Sequence, residues 1–558
     1  MRRLAAGLGL VVVLAACQSP QAPATPPSGP TPTPTADAPE GTAAGGTLRY
    51  AIAEPSAIVP VEAVGAAAFT VVDALFDSLT YWAPEGAEPT SPRLQARPAA
   101  AVGWSSEEDA RTWTFRLRPG ATFHDQTPVT AADFKFAWEV AVGLDRVGYH
   151  LRDVEGYDAL RDGEADELAG VTAVDEHTLE VRLEASNADF PVVVGHPALG
   201  PLPRARWEAD ADGFREQPAG NGPFAASEAW AREQFVRVAP FEGWRNRVAK
   251  PSVTEVIFQI VDPDTAYLAF QQGRMDFAEL PPGALSDAEE HYEESPDGYT
   301  GPGILRGDVP VLYYLGFNVT RPPFDDPDVR RAVSQAIDRS AIADGALDGS
   351  VRVARSLVPP VLEGPHRGGL CRMCRHDPAA AEVVFADRGI TELVLWLNAE
   401  GGHERIARAL RRDLRRVGVR LELRTEEFPD YLTALSAGQA GLFRSGWAVD
   451  YPTLDNALYP LLHSSAIGDG EAAHNHGRYR APDVDALLDQ ARATLDDVER
   501  HARYMEAANL ALNRDHALAP LFTYRHTAVA SERLEGLVYN AMGLVDLVAV
   551  SIVEPEQD

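Results

Sequence analysis

Residues 393–424, LVLWLNAEGGHERIARALRRDLRRVGVRLELR, decide the fold class. The opening LVLWLN is an apolar run of strand length. HERIARALRRDLRRVG then sets Ile406, Leu410, Leu414 and Val417 on one helical face, and Gly418 supplies the stop. The closing VRLELR alternates apolar and charged residues with the two-residue period of a half-buried strand. Strand, helix and strand in that order make a βαβ crossover, so this portion is expected to hold a parallel or mixed sheet. All-helical and all-strand folds are excluded.

The same alternation extends outward on both sides. TWTFRLRPG (112–120) sets Trp113, Phe115 and Leu117 on one face of a strand that Pro119 and Gly120 end. In TPVTAADFKFAWEVA (127–141), Thr130 and Asp133 have the spacing of an N-terminal capping pair, ahead of a helical face of Phe134, Ala137, Trp138 and Ala141. GVTAVDEHTLEVRLE (170–184) reads as a hairpin whose second strand buries Leu179, Val181 and Leu183. PFDDPDVRRAVSQAIDR (323–339) offers Asp326 as N-cap and Pro327 at the first helical position, followed by Val329, Val333, Ala336 and Ile337. Two more helical stretches run from Asp483 to about Asn513. The strand-like LAPLFTYRHTAVAS (518–531) leads toward the end, and no internal repeat is present.

The N-terminal residues follow another pattern. Arg2 and Arg3 precede an apolar run that ends in Leu14-Ala15-Ala16-Cys17. That run is too short to span a bilayer and has the form of an export signal. Leucine, two small residues and cysteine resemble the bacterial lipobox, which implies cleavage before Cys17 and a lipid on its thiol. An ordinary signal peptide cleaved elsewhere is the alternative. From Gln18 to about Ala44 the chain is Pro, Thr, Ala, Ser and Gln with hardly an aliphatic residue, a composition that suits a semi-extended tether. The folded body is expected to start near Gly45, with enough chain for two or three cores. A formal charge of -32 repels phosphate backbones and anionic lipid heads, which disfavours nucleic-acid partners and basic membrane adhesion. Lys135 and Lys250 are the only lysines, which disfavours Schiff-base chemistry.

No motif nominates a catalytic residue. The serine-hydrolase elbow and the phosphate loop are missing. HERIA begins like a zinc-protease helix but lacks the second histidine, so His403 reads as a helix-start residue. HRGGLCRMCRH (366–376) has three readings: zinc ligation, a small disulfide loop between Cys371 and Cys374, or free thiols. An exported chain meets an oxidising space, which favours the disulfide, worth about 2 kcal/mol for so short a loop. His474 and His476 lack an acid or cysteine at metal-ligand spacing and read as loop histidines near a cleft. No metal and no cofactor is expected.

Taken together, six segments resemble the bacterial extracellular solute-binding proteins of family 5, the peptide-type receptors of ABC importers. They are GGTLRYAIAEPSAIVPV (45–61), TWTFRLRPGATFHDQTPVTAADFKFAWE (112–139), VDEHTLEVRLEASNADFP (174–191), NGPF (221–224), GFNVTRPPFDDPDVRRAVSQAIDR (316–339) and GWAVDYPTLDNALYPLLHSS (446–465). The resemblance implies an α/β fold, two-lobed and periplasmic-binding-protein-like (large cluster, type II), with an inserted subdomain. Lobe 1 would comprise 45–80, 191–315 and 521–558, the subdomain 81–190, and lobe 2 316–520, after a signal peptide at 1–16 and a lipidated tether at 17–44. A short peptide would be held in the interlobe cleft by a monomer, then passed to the transmembrane subunits of an ABC permease. The protein would sit on the extracytoplasmic face of the cell membrane and would not be an enzyme.

In peptide-binding members an aspartate in a G-W-x-x-D pattern pairs with the ligand's α-ammonium group, and here that pattern is Gly446, Trp447 and Asp450. An extended LFRSGW segment suits strand addition by a peptide, with Gly446 and Ala448 leaving room for its backbone. Arg444 is expected either to meet a ligand carboxylate or to pair with a surface acid. Phe428 stands where relatives often carry a tryptophan and is expected to line the cavity. Gly65 and Ala66 lie in AVGAA (63–67), which matches a loop that faces the ligand backbone. One departure is Tyr-Pro-Thr-Leu-Asp after Asp450, where many relatives have a second acid followed by proline; this leaves ligand length and class open. A non-peptide solute (oligosaccharide, opine-like compound or nickel chelate) is the alternative within the family. A secreted hydrolase or sensor module is the alternative outside it.

Overall fold

The crossover read at 393–424 is present in the computed structural model, which describes residues 45–85, 93–247, 249–347, 349–363, 371–468 and 474–553. The expected signal peptide, the tether, Cys17 and His366 lie outside the described residues. Strand Glu392–Asn398 runs parallel to Arg420–Glu426, in register from Glu392 opposite Arg420 to Asn398 opposite Glu426. Helix His403–Arg416 joins them and buries Ile406, Leu410 and Leu414. Gly418 follows with φ of 79°, the left-handed conformation that ends a helix at low cost only for glycine. Truncating Leu410 or Leu414 to alanine costs about 2–5 kcal/mol by loss of contacts and a residual cavity.

This crossover belongs to a unit formed by Asp308–Ala491 and His501–Arg525, the C-terminal unit. Its six-stranded mixed sheet has the order Val351–Val353, Leu518–Arg525, Asp308–Phe317, Leu442–Ala448, Glu392–Asn398 and Arg420–Glu426. Asp308–Phe317 is antiparallel to both its neighbours and is buried at every position after its first. A strand covered on both faces is a continuous apolar run without alternation, which is how VLYYLGF reads. Helix Pro327–Ala336 starts at Asp326, whose side chain accepts from the Asp328 N–H at 2.8 Å. Cys371 and Cys374 are joined by a disulfide, with Cα atoms 5.3 Å apart.

The N-terminal unit takes in the described residues up to Gly307, then Arg492–Arg500, then those from His526 on. Its seven-stranded sheet has the order Gly303–Leu305, Ala528–Ala530, Phe277–Glu279, Thr47–Ile52, Glu255–Ile260, Phe235–Pro240 and Phe224–Ala226. A separate four-stranded antiparallel sheet holds Ala101–Ser106, Thr112–Leu117, Thr178–Arg182 and Val171–Asp175, and Trp113, Phe115, Leu179 and Val181 are buried on it. Helix Ala131–Gly143 has the expected capping pair, since the Asp133 carboxylate accepts from the Thr130 N–H at 2.8 Å. Arg492–Arg500 is tied into this unit by Arg500, fully buried and 3.1 Å from Asp189.

One element differs from its sequence reading. LAPLFTYRHTAVAS is not one strand: Leu518–Arg525 belongs to the C-terminal sheet and Ala528–Ala530 to the N-terminal sheet. Both pieces are apolar, so a run of suitable residues does not reveal that its two halves pair with different sheets.

Candidate ligand-binding site

The strand that carries Arg444, Gly446, Trp447 and Ala448 is paired unequally on its two edges. Along one edge Leu442–Ala448 is paired throughout with Asp308–Phe317, from Leu442 opposite Phe317 to Ala448 opposite Val311. On the other edge only Leu442 and Phe443 meet a strand, at Leu395 and Trp396. From Arg444 onward that edge has no strand partner among the described residues. The neighbouring strand stops at Asn398, whose side-chain amide N–H donates to the Glu400 carbonyl at 3.1 Å while its Oδ1 accepts from the Arg444 guanidinium. The Arg444 carbonyl accepts from the Tyr431 hydroxyl. The open edge therefore begins at Ser445.

Gly446 is exposed. A Cβ there would meet only the Leu312 carbonyl oxygen, at 3.4 Å, an ordinary contact. Packing within the unit does not require glycine at this position, so its effect is to keep the outer face of the strand clear.

Past the strand, Trp447 and Asp450 are held by one residue, Asn456. The Trp447 indole N–H donates to the Asn456 carbonyl at 2.6 Å, and the Asp450 N–H donates to Asn456 Oδ1 at 2.9 Å. Asn456 Nδ2 donates in turn to Asp450 Oδ2 at 3.3 Å. Asn456 is 1% exposed on helix Leu454–Leu462, and its own N–H donates to the capping Thr453 hydroxyl at 3.0 Å. The sequence reading passed over Asn456; the signal available was Thr453-x-x-Asn456, a cap three residues before a buried amide. Asp455, the later acid of the same segment, is turned inward and accepts from the buried Tyr504 hydroxyl at 3.0 Å. Asp450 is the half-buried acid of the pair.

Arg444 lies near two tyrosine rings, 6.0 Å from the centroid of Tyr313 and 5.7 Å from that of Tyr431. No carboxylate pairs with it among the described residues, and its Nε is buried without a hydrogen-bond partner there. His403 opens its helix as expected, with Nδ1 3.3 Å from the Tyr313 hydroxyl. Burial, then the Arg444 charge, push His403 down to about 4, so it is neutral at physiological pH. Phe428 is half-buried at the start of helix Phe428–Ser436, which also supplies Tyr431. His474 packs on the Trp447 ring at 4.7 Å between centroids. Burial pushes His476, in the same loop, down to about 4. Gly65 and Ala66 belong to the N-terminal unit, where Gly65, at φ of 89°, precedes helix Ala66–Leu75.

Residues 95–469 match the model of the bacterial extracellular solute-binding proteins, family 5 Middle. The chain belongs to this family. This family-5 protein is 28% identical over 515 residues to the periplasmic murein peptide-binding protein MppA of Escherichia coli, a match covering 88% of this chain and 90% of that one. It is 26% identical over 482 residues to the dipeptide-binding protein DppE of Bacillus subtilis, covering 81% and 83%. The unliganded open form of MppA matches it with a TM-score of 0.79 at 25% identity, over 92% of this chain and 98% of that one. The fold class is the two-lobed α/β class of the solute-binding proteins, as the resemblance implied. The relatives are binding proteins, and this family-5 chain is a solute-binding protein, not an enzyme. No helix among the described residues is long and apolar enough to cross a membrane.

Proposed function

We propose that this family-5 protein captures short peptides outside the cytoplasm and delivers them to the transmembrane subunits of an ABC permease, working as a monomer tethered by a lipid on Cys17. The bare edge of Leu442–Ala448 carries this reading. A peptide added to it as a strand gains main-chain hydrogen bonds that are indifferent to its side chains. At one end Asp450, oriented by Asn456, receives the α-ammonium group; an ammonium removed from water needs such a partner. Toward the other end Arg444, which no described carboxylate neutralises, receives a ligand carboxylate. Four strand steps from Arg444 to Ala448 span about 13 Å, the length of an extended tetrapeptide. Trp447 and Phe428 supply apolar wall. The names of DppE and MppA, which bind a dipeptide and a murein peptide, support the same class of ligand.

Thermal unfolding with free-amine tri- to pentapeptides and with their N-acetylated forms tests this. The free-amine set is expected to raise Tm and the acetylated set is not. Equal shifts discard the ammonium pairing, and no shift from either set favours a non-peptide solute. For the anchor, fatty-acid labelling of cells is expected to mark the native chain and not Cys17→Ser.

A further inference from the structure

The N-terminal unit contains a cavity of about 300 Å³, between the helix bearing Asp73, the strand bearing Tyr81 and Trp82, and the C-terminal segment around 544–549. The cavity has room for several waters or one small organic molecule. Three carboxylates line it, those of Asp73, Asp77 and Asp546, with one cation, Arg247. Two of the acids are satisfied from within the protein. Asp546 accepts from both terminal nitrogens of Arg247, each at 2.7 Å. Asp77 accepts from the Trp244 indole N–H and the Asn246 amide, each at 2.5 Å. Asp73 receives no hydrogen bond and no ion pair from the described residues.

We propose that this cavity is a second ligand site, which takes a small organic cation, an ammonium group on a short apolar stem, with Asp73 as its counter-charge. Three carboxyl groups share one guanidinium, which is engaged by Asp546, so Asp73 is left without a counter-cation among the described residues. A metal ion does not suit the donors: no group of three or more His, Cys, Asp or Glu is placed to hold one among the described residues, and Asp77 and Asp546 have already taken their partners. Apart from Asn540 and Tyr81, the rest of the lining is apolar, including Leu544, Val545 and Leu547, and Trp82 has its N–H engaged by the Val192 carbonyl at 2.8 Å, leaving its ring as the wall. Such walls accept a hydrocarbon stem. Burial, then the charges of Asp546 and Asp77, raise Asp73 to about 7 against the opposing pull of Arg247. An empty site thus holds a carboxyl near its midpoint at neutral pH. Arrival of an ammonium drives off the proton and leaves a carboxylate–ammonium pair. These residues all belong to the N-terminal unit, so the inference does not rest on the peptide reading.

The test uses the mature chain with Asp450→Asn, so that the acid proposed for the peptide terminus is silent. Calorimetry with n-butylammonium and 2-phenylethylammonium is compared with n-butanol and 2-phenylethanol. At least one ammonium probe is expected to bind in the millimolar range or tighter while its alcohol does not, and adding Asp73→Asn is expected to weaken binding about 30-fold or more. Binding of neither ammonium, equal binding of an alcohol, or an affinity untouched by Asp73→Asn overturns the proposal. If the doubly substituted chain does not fold, the heat of ammonium binding at pH 6.5 in two buffers of different ionisation enthalpy decides: proton release is expected, and its absence overturns the assignment.

Discussion

Asn456 grips Asp450 twice, accepting from its backbone N–H at 2.9 Å and donating to its carboxylate at 3.3 Å. The same residue's carbonyl fixes the Trp447 indole. A single buried residue therefore positions both groups proposed for the ligand's amino end: the acid through its side-chain amide and the aromatic wall through its backbone carbonyl.

Asp450→Asn keeps the size of the side chain and removes its charge. Peptide affinity is expected to fall about 30-fold to several thousandfold, the 2–5 kcal/mol typical of breaking a desolvated ion pair. The Tm of the unliganded protein is expected to stay within a few degrees. Calorimetry with a free-amine tetrapeptide measures this, and an unchanged Kd removes Asp450 from the site.

Asn456→Ala acts on stability and affinity together. It leaves the Asp450 backbone N–H without its acceptor, at a cost of about 1–3 kcal/mol in denaturant unfolding, and frees the carboxylate to turn. Affinity is expected to fall while the peptide's side-chain preferences stay the same. A stable variant with normal affinity would show that Asn456 orients nothing.

Gly446→Val separates folding from strand addition. The added Cβ meets only an ordinary contact inside the unit, and valine suits a strand, so the unfolding midpoint is expected to hold. Its branches stand on the exposed face, and peptide affinity is expected to fall tenfold or more. Retained affinity would mean that the ligand does not run along this edge.

Two shifted groups give the protein opposite responses to pH. His403 is pushed down to about 4, below its ordinary 6.5, so its contribution is complete above pH 6.5 and is lost as pH falls toward 4. His403→Gln is expected to flatten this acid limb in denaturant titrations at pH 4 to 7. Asp73 is raised to about 7, so its contribution is complete below about pH 4 and is lost as pH rises through 7. Asp73→Asn is therefore expected to be more stable than the native chain at pH 8 and no more stable at pH 4. Equal effects at both values would mean that Asp73 stays ionised across the range.

The sequence by itself determined the elements and the family. The crossover at 393–424, the Asp326-Pro327 and Thr130–Asp133 helix starts and the Gly418 stop were legible because capping and periodic burial are written within one or two turns of chain. Asp450 and Trp447 were legible only through the family pattern. Tertiary structure alone decided that 518–531 serves two sheets, that one edge of Leu442–Ala448 has no strand partner beyond Phe443 among the described residues, that Asn456 holds Asp450, and that Asp73 and Asp546 line one cavity. Strand partners and loss of water are set by segments far apart in the chain, and the residues on either side of a strand edge or a carboxylate carry no local record of what the fold will bring against them.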